Sequence, residues 1–151
     1  MKIAIGSDHR GAAAVRHLLD HLREHGHDAE QLREPSEQGA DYPEPAYAVA
    51  SRVASGEADL GVLICGTGIG MSIAANKVDG VRAALAHDEL TARLARSHND
   101  ANVICLSGDL LGDRKIEKIV DTFLDTEFEG GRHARRVDKI TSIEKGQDPS
   151  A

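Results

Sequence analysis

The residues with the clearest chemical potential lie in LGVLICGTGIGMSIAANK, positions 60–77. A hydrophobic run ends at Cys65, and Gly66, Gly68 and Gly70 follow at every second position. Glycines let a backbone approach a ligand closely and adopt φ > 0. Amide groups at the start of a following helix favour negative charge. Such a loop can hold an oxyanion, where one good donor contributes about 3–4 kcal/mol. The same field lowers a thiol pKa. An ordinary thiol, near pKa 8.5, is only a few per cent ionised at neutral pH; a drop of roughly 1.5 units makes thiolate the main form. A thiolate there is a base able to take a carbon-bound proton. The other reading of Cys65 is a small buried hydrophobe at a strand end.

Three familiar phosphate loops are excluded by spacing. A Walker A loop needs Lys-Ser/Thr after its last glycine, where Met71 and Ser72 stand. The dinucleotide fingerprint is G-x-G-x-x-G, and the glycines here are one residue short of it. A cysteine phosphatase loop needs an arginine where Met71 lies.

Four other polar groups stand out. SDHRG carries Asp8 and His9 directly after an apolar run, able to bind an anion, orient a hydroxyl or cap a helix. SHNDAN carries His98 and Asn99 at the end of a helical pattern, where a histidine also suits the helix dipole. GGRHARRVDK places Arg132 and Arg136 one helical turn apart, either a phosphate clamp or a solvated basic turn. His17, His21 and His25 share one helix face and read as solvated; no catalytic metal is expected.

The elements that position these groups follow from hydrophobic patterning. Continuous apolar runs at 2–5, 60–65, 81–86 and 103–108, with a weaker one at 27–32, read as strands. Amphipathic segments at 10–26, 43–56, 87–99 and 114–126 read as helices, the second with Tyr47, Ala50 and Val53 inward. A tail with a basic start follows from Gly131, and residues 145–151 are expected to be flexible. Strands hydrophobic on both sides suit a parallel sheet covered on both faces. The expected fold is α/β, a Rossmann-like three-layer sandwich with a five-stranded parallel sheet, in one domain over 1–151. Ligands of such sheets sit beyond the carboxyl ends of the strands, where GSDHRG, CGTGIG and SGDLLGD leave the sheet. The net charge of −7 argues against nucleic acid. Two cysteines match neither a zinc pattern nor a disulfide framework, and no apolar stretch approaches membrane-spanning length. A reducing, cytoplasmic setting is the expectation.

Taken together, IAIGSDHRG, DYPE, GVLICGTGIGMSIAANK, VRAAL, SHNDANV and FEGGRHARRV run in order along the chain. The combination resembles the type B ribose-5-phosphate isomerases and the galactose-6-phosphate isomerase subunits. The resemblance implies aldose–ketose isomerisation of a phosphorylated sugar through an enediolate, with no metal or cofactor. It assigns Cys65 as the base. Thr67 and the 66–70 backbone hold and reprotonate the enediolate oxygen. His98 opens the sugar ring, with Asp8 assisting. His9, Arg132 and Arg136 contact the phosphate, and Asp41, Tyr42 and Asn99 bind the sugar or shape the site. The resemblance also implies a homodimer, alone or paired into a tetramer, in which His98 and Asn99 reach in from the neighbour. One position departs from the pattern. The family commonly has arginine after the glycine that ends the fifth strand, and Asp109 stands there, with Arg114 nearby. Ribose 5-phosphate is the leading substrate. A four- or six-carbon sugar phosphate, or a binding module without catalysis, are the alternatives.

Overall fold

The apolar runs form one parallel sheet of five strands in the order β2-β1-β3-β5-β4. This computed structural model describes residues 1–36 and 38–151. The strands are β1 (Lys2–Ser7), β2 (Asp28–Gln31), β3 (Leu60–Cys65), β4 (Ala83–Leu85) and β5 (Val103–Ser107). The helices are α1 (Ala12–Glu24), α2 (Pro43–Ala54), α3 (Ile69–Ala75), α4 (Glu89–Asn99), α5 (Asp113–Asp125) and α6 (Arg132–Glu144). β3 is buried at every residue because helices cover it on both sides. Its alternate side chains feed two cores. Val62 and Ile64 pack with Val15, Leu18, Ile116 and Phe123 from α1 and α5. Leu63 and Cys65 pack with Val49, Val53 and Met71 from α2 and α3. The result is the three-layer sandwich expected. Truncating a fully buried side chain such as Phe123 costs about 3–5 kcal/mol.

Register fixes which loops meet. Ser7 pairs with Ile64, and Cys65 with Ser107, so β1, β3 and β5 end side by side. The chain then departs to α1 on one face after β1 and to α3 on the other after β3. Neighbouring strands whose connections leave to opposite faces open a crevice at the carboxyl edge. Gly11 lets α1 start against β3: a Cβ there would lie 2.2 Å from the carbonyl oxygen of Ile64.

Several sequence expectations are corrected. The tail after Gly131 is a thirteen-residue helix, α6. Its only buried residue is His133, and its apolar residues Ile140 and Ile143 stay exposed, so its apolar side is not packed into the core of the chain. Tyr47 points outward, 65% exposed, while Ala46, Val49, Ala50 and Val53 form the inner stripe of α2. The histidine face of α1 is not simply solvated. His17 Nε2 lies 2.7 Å from Glu117, and His21 Nε2 lies 2.8 Å from Asp121, both carboxylates on α5. Helix pairing between distant segments supplied those partners. Among the described residues, no helix is long and apolar enough to cross a membrane.

Candidate active site

Cys65 closes β3 and is 5% exposed. The chain turns at once, and the Gly68 amide donates to Sγ at 3.1 Å. This turn requires φ +79 at Gly68, and a Cβ there would lie 2.6 Å from Leu85 Cδ1. Only glycine meets both conditions. The donor therefore faces the sulfur. Because α3 has only seven residues, the local amide matters here more than a long helix dipole. Thr67 is exposed beside it, and its Oγ1 accepts from the Ile69 amide at 3.2 Å. Its own O–H remains available as a donor. Cys105 makes the contrast: fully buried in β5, its thiol is pushed well up, by desolvation first and by Cys65 second. It stays protonated and inert.

The neighbouring loops complete this edge. Asp8 is buried, and its Oδ1 accepts from the amides of Arg10 at 2.9 Å and Gly11 at 3.2 Å. It thereby fixes the turn that carries His9. A Cβ at Gly39 would sit 3.3 Å from His9 Nδ1, so the loop before α2 lies close against the imidazole. His9, Gly39, Ala40 and Asp41 line one cleft. Tyr42 lies over Gly70, where a Cβ would come within 2.7 Å of the ring. Gly66 is anchored through its carbonyl, which accepts from Ser107 Oγ at 2.6 Å and from the Asp109 amide at 3.2 Å. The pairing partners of Ser107 and Asp109 were not visible in the sequence; only parallel register reveals them.

The remaining predicted residues lie elsewhere. α4 starts beyond the carboxyl end of β4 and returns, so that Asn99 closes it just before β5. The Asn99 carbonyl accepts from Arg82 Nε at 3.1 Å, at the start of β4. His98 and Asn99 therefore stand at the amino edge of the sheet, roughly 17 Å from Cys65 by strand rise. α6 packs on α4, with the His98 and His133 rings stacked at 4.1 Å and nearly parallel, 8° apart. Burial chiefly lowers the pKa of His133, with the charges of His98 and Arg132 acting the same way and Glu129 opposing. Arg132 and Arg136 are exposed on this helix. His98, Glu129 and His133 bring their ligand atoms within 4.8 Å of one another. Two imidazole lone pairs lying in parallel, separated planes do not converge on one ion, so the stack is a poor metal site. One chain thus brings Cys65, Thr67, Asp8, His9, Asp41, Tyr42 and the three glycines together. It holds His98, Asn99, Arg132 and Arg136 apart from them.

Fold and site define a class: an α/β protein with a thiol under a glycine loop at the crevice between diverging strands. A family model described as Ribose/Galactose Isomerase matches residues 3–140. Ribose-5-phosphate isomerase B of Escherichia coli is 44% identical over 144 residues, covering 95% of this chain and 97% of that protein. The structure of ribose-5-phosphate isomerase B from Clostridium thermocellum superposes with a TM-score of 0.94 at 48% identity, over 97% of this chain and 99% of that one. That of Mycoplasma genitalium, solved with bound ribulose 5-phosphate, gives 0.90 at 48% identity, over 95% of each chain. The chain belongs to the ribose/galactose isomerase family.

Proposed function

We propose that the protein interconverts ribose 5-phosphate and ribulose 5-phosphate, with Cys65 as the proton-transferring base. Its family makes it an aldose–ketose isomerase of phosphorylated sugars. The observation that carries the finer reading is the Cys65 sulfur held at 3.1 Å from the Gly68 amide, at the end of β3. In the open-chain aldose, the thiolate takes the C2 proton. The electron pair left behind forms the C1–C2 double bond, and the C1 carbonyl oxygen becomes an oxyanion. The loop amides and the Thr67 hydroxyl stabilise that charge. The thiol then returns its proton to C1, while the O2 proton passes to O1 by way of Thr67. The product carries its carbonyl at C2, and atoms and charge balance.

His98 opens the furanose ring with Asp8 assisting, and His9, Arg132 and Arg136 hold the phosphate. Asp41, Tyr42 and Asn99 shape the sugar pocket. Because His98, Asn99, Arg132 and Arg136 lie at the opposite sheet edge of the same chain, this assignment needs a second copy. A homodimer that sets the amino edge of one protomer against the carboxyl edge of the other supplies them. The test is turnover of four-, five- and six-carbon aldose phosphates in the presence of a chelator, with loss of a C2 deuterium label followed in parallel. Label washout from ribose 5-phosphate is expected. Binding without washout indicates a non-catalytic module, and chelator-sensitive turnover contradicts the metal-free route.

A further inference from the structure

Arg10 reaches across from the loop after β1 to Asp109 in the loop after β5. Its Nε lies 3.3 Å from Oδ1, and its Nη2 pairs with Oδ2. The pair lies directly over Gly66: a Cβ there would meet Arg10 Nε at 3.0 Å and Asp109 Oδ2 at 3.1 Å. Both ends are tied to the backbone of the site. The Arg10 amide donates to Asp8 Oδ1 at 2.9 Å, and the Asp109 amide donates to the Gly66 carbonyl at 3.2 Å. The Asp109 carboxylate holds the guanidinium firmly in its charged form. Asp109 occupies one edge of the planar fork and leaves Nη1 free. The Arg10 side chain is 58% exposed, so that free edge is accessible, next to His9 and one residue from Cys65.

We propose that Arg10, oriented by Asp109, is a specificity-determining contact for the phosphate of the substrate. The acid at 109 therefore does not leave the site short of a cation. It anchors a guanidinium delivered from the first strand's loop. A fixed guanidinium edge matches phosphate oxygens in geometry as well as charge. A sugar without phosphate gains nothing from it.

The inference rests on the isomerase reading above, and its test separates the two. Ribitol 5-phosphate has no carbonyl and cannot isomerise, so its affinity, measured by calorimetry, reports binding without turnover, and comparison with ribitol isolates the phosphate. Arg10→Gln is expected to weaken it by about tenfold or more, the loss of one charge-assisted contact. The weak binding of ribitol itself should not change. In the charge-swapped variant, Arg10→Asp with Asp109→Arg, the ion pair is kept and the guanidinium comes from the other loop; affinity is expected to return to near the wild-type value. Unchanged affinity in Arg10→Gln overturns the proposal. So does a fall in kcat with binding intact, which makes Arg10 a stabiliser of the reacting end. If Arg10→Gln does not fold, the swapped variant decides: folded but unable to bind the polyol phosphate, it overturns the proposal as well. Absence of turnover in the wild type, with these affinities as expected, instead removes the isomerase reading and leaves the contact standing.

Discussion

The two edges of the sheet are built differently. At the carboxyl edge, Asp8 and Cys65 accept from amides of their own loops, the Gly66 carbonyl accepts from Ser107 at the end of β5, and the thiol has its donor in place. At the amino edge, His98 and Asn99 end α4 while Arg132 and Arg136 lie in the first turns of α6; the histidine stack joins the two helices, and the Asn99 carbonyl accepts from Arg82. One edge carries the thiol without the arginines, the other the arginines without the thiol. Parallel topology forces this: a helix that follows one strand must return to the opposite edge before the next strand begins. If both halves serve one site, as proposed, they can meet only between copies.

The largest expected effect lies at the carboxyl edge. Cys65→Ala should lower kcat by about 10²–10⁴-fold, the usual contribution of a general base. Cys105→Ala should leave kcat near wild type, as steady-state assays of both variants will show. Equal losses would break the contrast between the two thiols.

Subunit mixing tests the comparison itself. Cys65→Ala and His98→Ala are each expected to be nearly inactive. Unfolded and refolded together in equal amounts, they should recover roughly a quarter of wild-type activity, because half the dimers are mixed and each mixed dimer has one intact site. No recovery, with mixed dimers demonstrated by native mass spectrometry, would mean that both halves of a site come from one chain.

Two glycines sharpen the point at smaller scale. Gly68 and Gly26 both adopt positive φ, +79 and +82, but only Gly68 is crowded. Gly26→Ala should cost about 1 kcal/mol from backbone strain alone. Gly68→Ala should cost about 1–3 kcal/mol in chemical denaturation and also lower kcat, because the amide facing Cys65 must move. Equal stability losses, with kcat intact in both, would remove the role given to the Gly68 turn.

The smallest effect belongs to the amino edge. The pKa of His133 is lowered in the folded chain, while an unfolded histidine titrates near 6.5. Above that pH both states are neutral and the residue contributes no pH dependence. As pH falls through about 6.5, the unfolded chain takes up a proton that the folded one resists, so stability declines. His133→Asn should remove that part of the decline, seen by comparing denaturation midpoints at pH 7.5 and 5.5. An identical decline in both proteins would assign it to other groups.

The strands, most helices and the order of the loops were legible because each is encoded locally, by apolar runs and by periodicity. β3 and α5 read almost without error for that reason. α6 did not, since its apolar residues Ile140 and Ile143 find no core within the chain. Asp109 read as a lost cation; its partner Arg10 lies 99 residues away, in a stretch already singled out for its neighbours Asp8 and His9. The pairing of His21 with Asp121 escaped for the same reason.

By itself the sequence determined the α/β alternation, the family pattern, and which residue types were available for chemistry. Only the tertiary structure decided which of them meet. Parallel register joins the loops of β1, β3 and β5 over Gly66, and helix return sends His98 to the far edge. Local patterning reports the periodicity of one segment, whereas register and connection direction are properties of pairs of segments far apart in the chain.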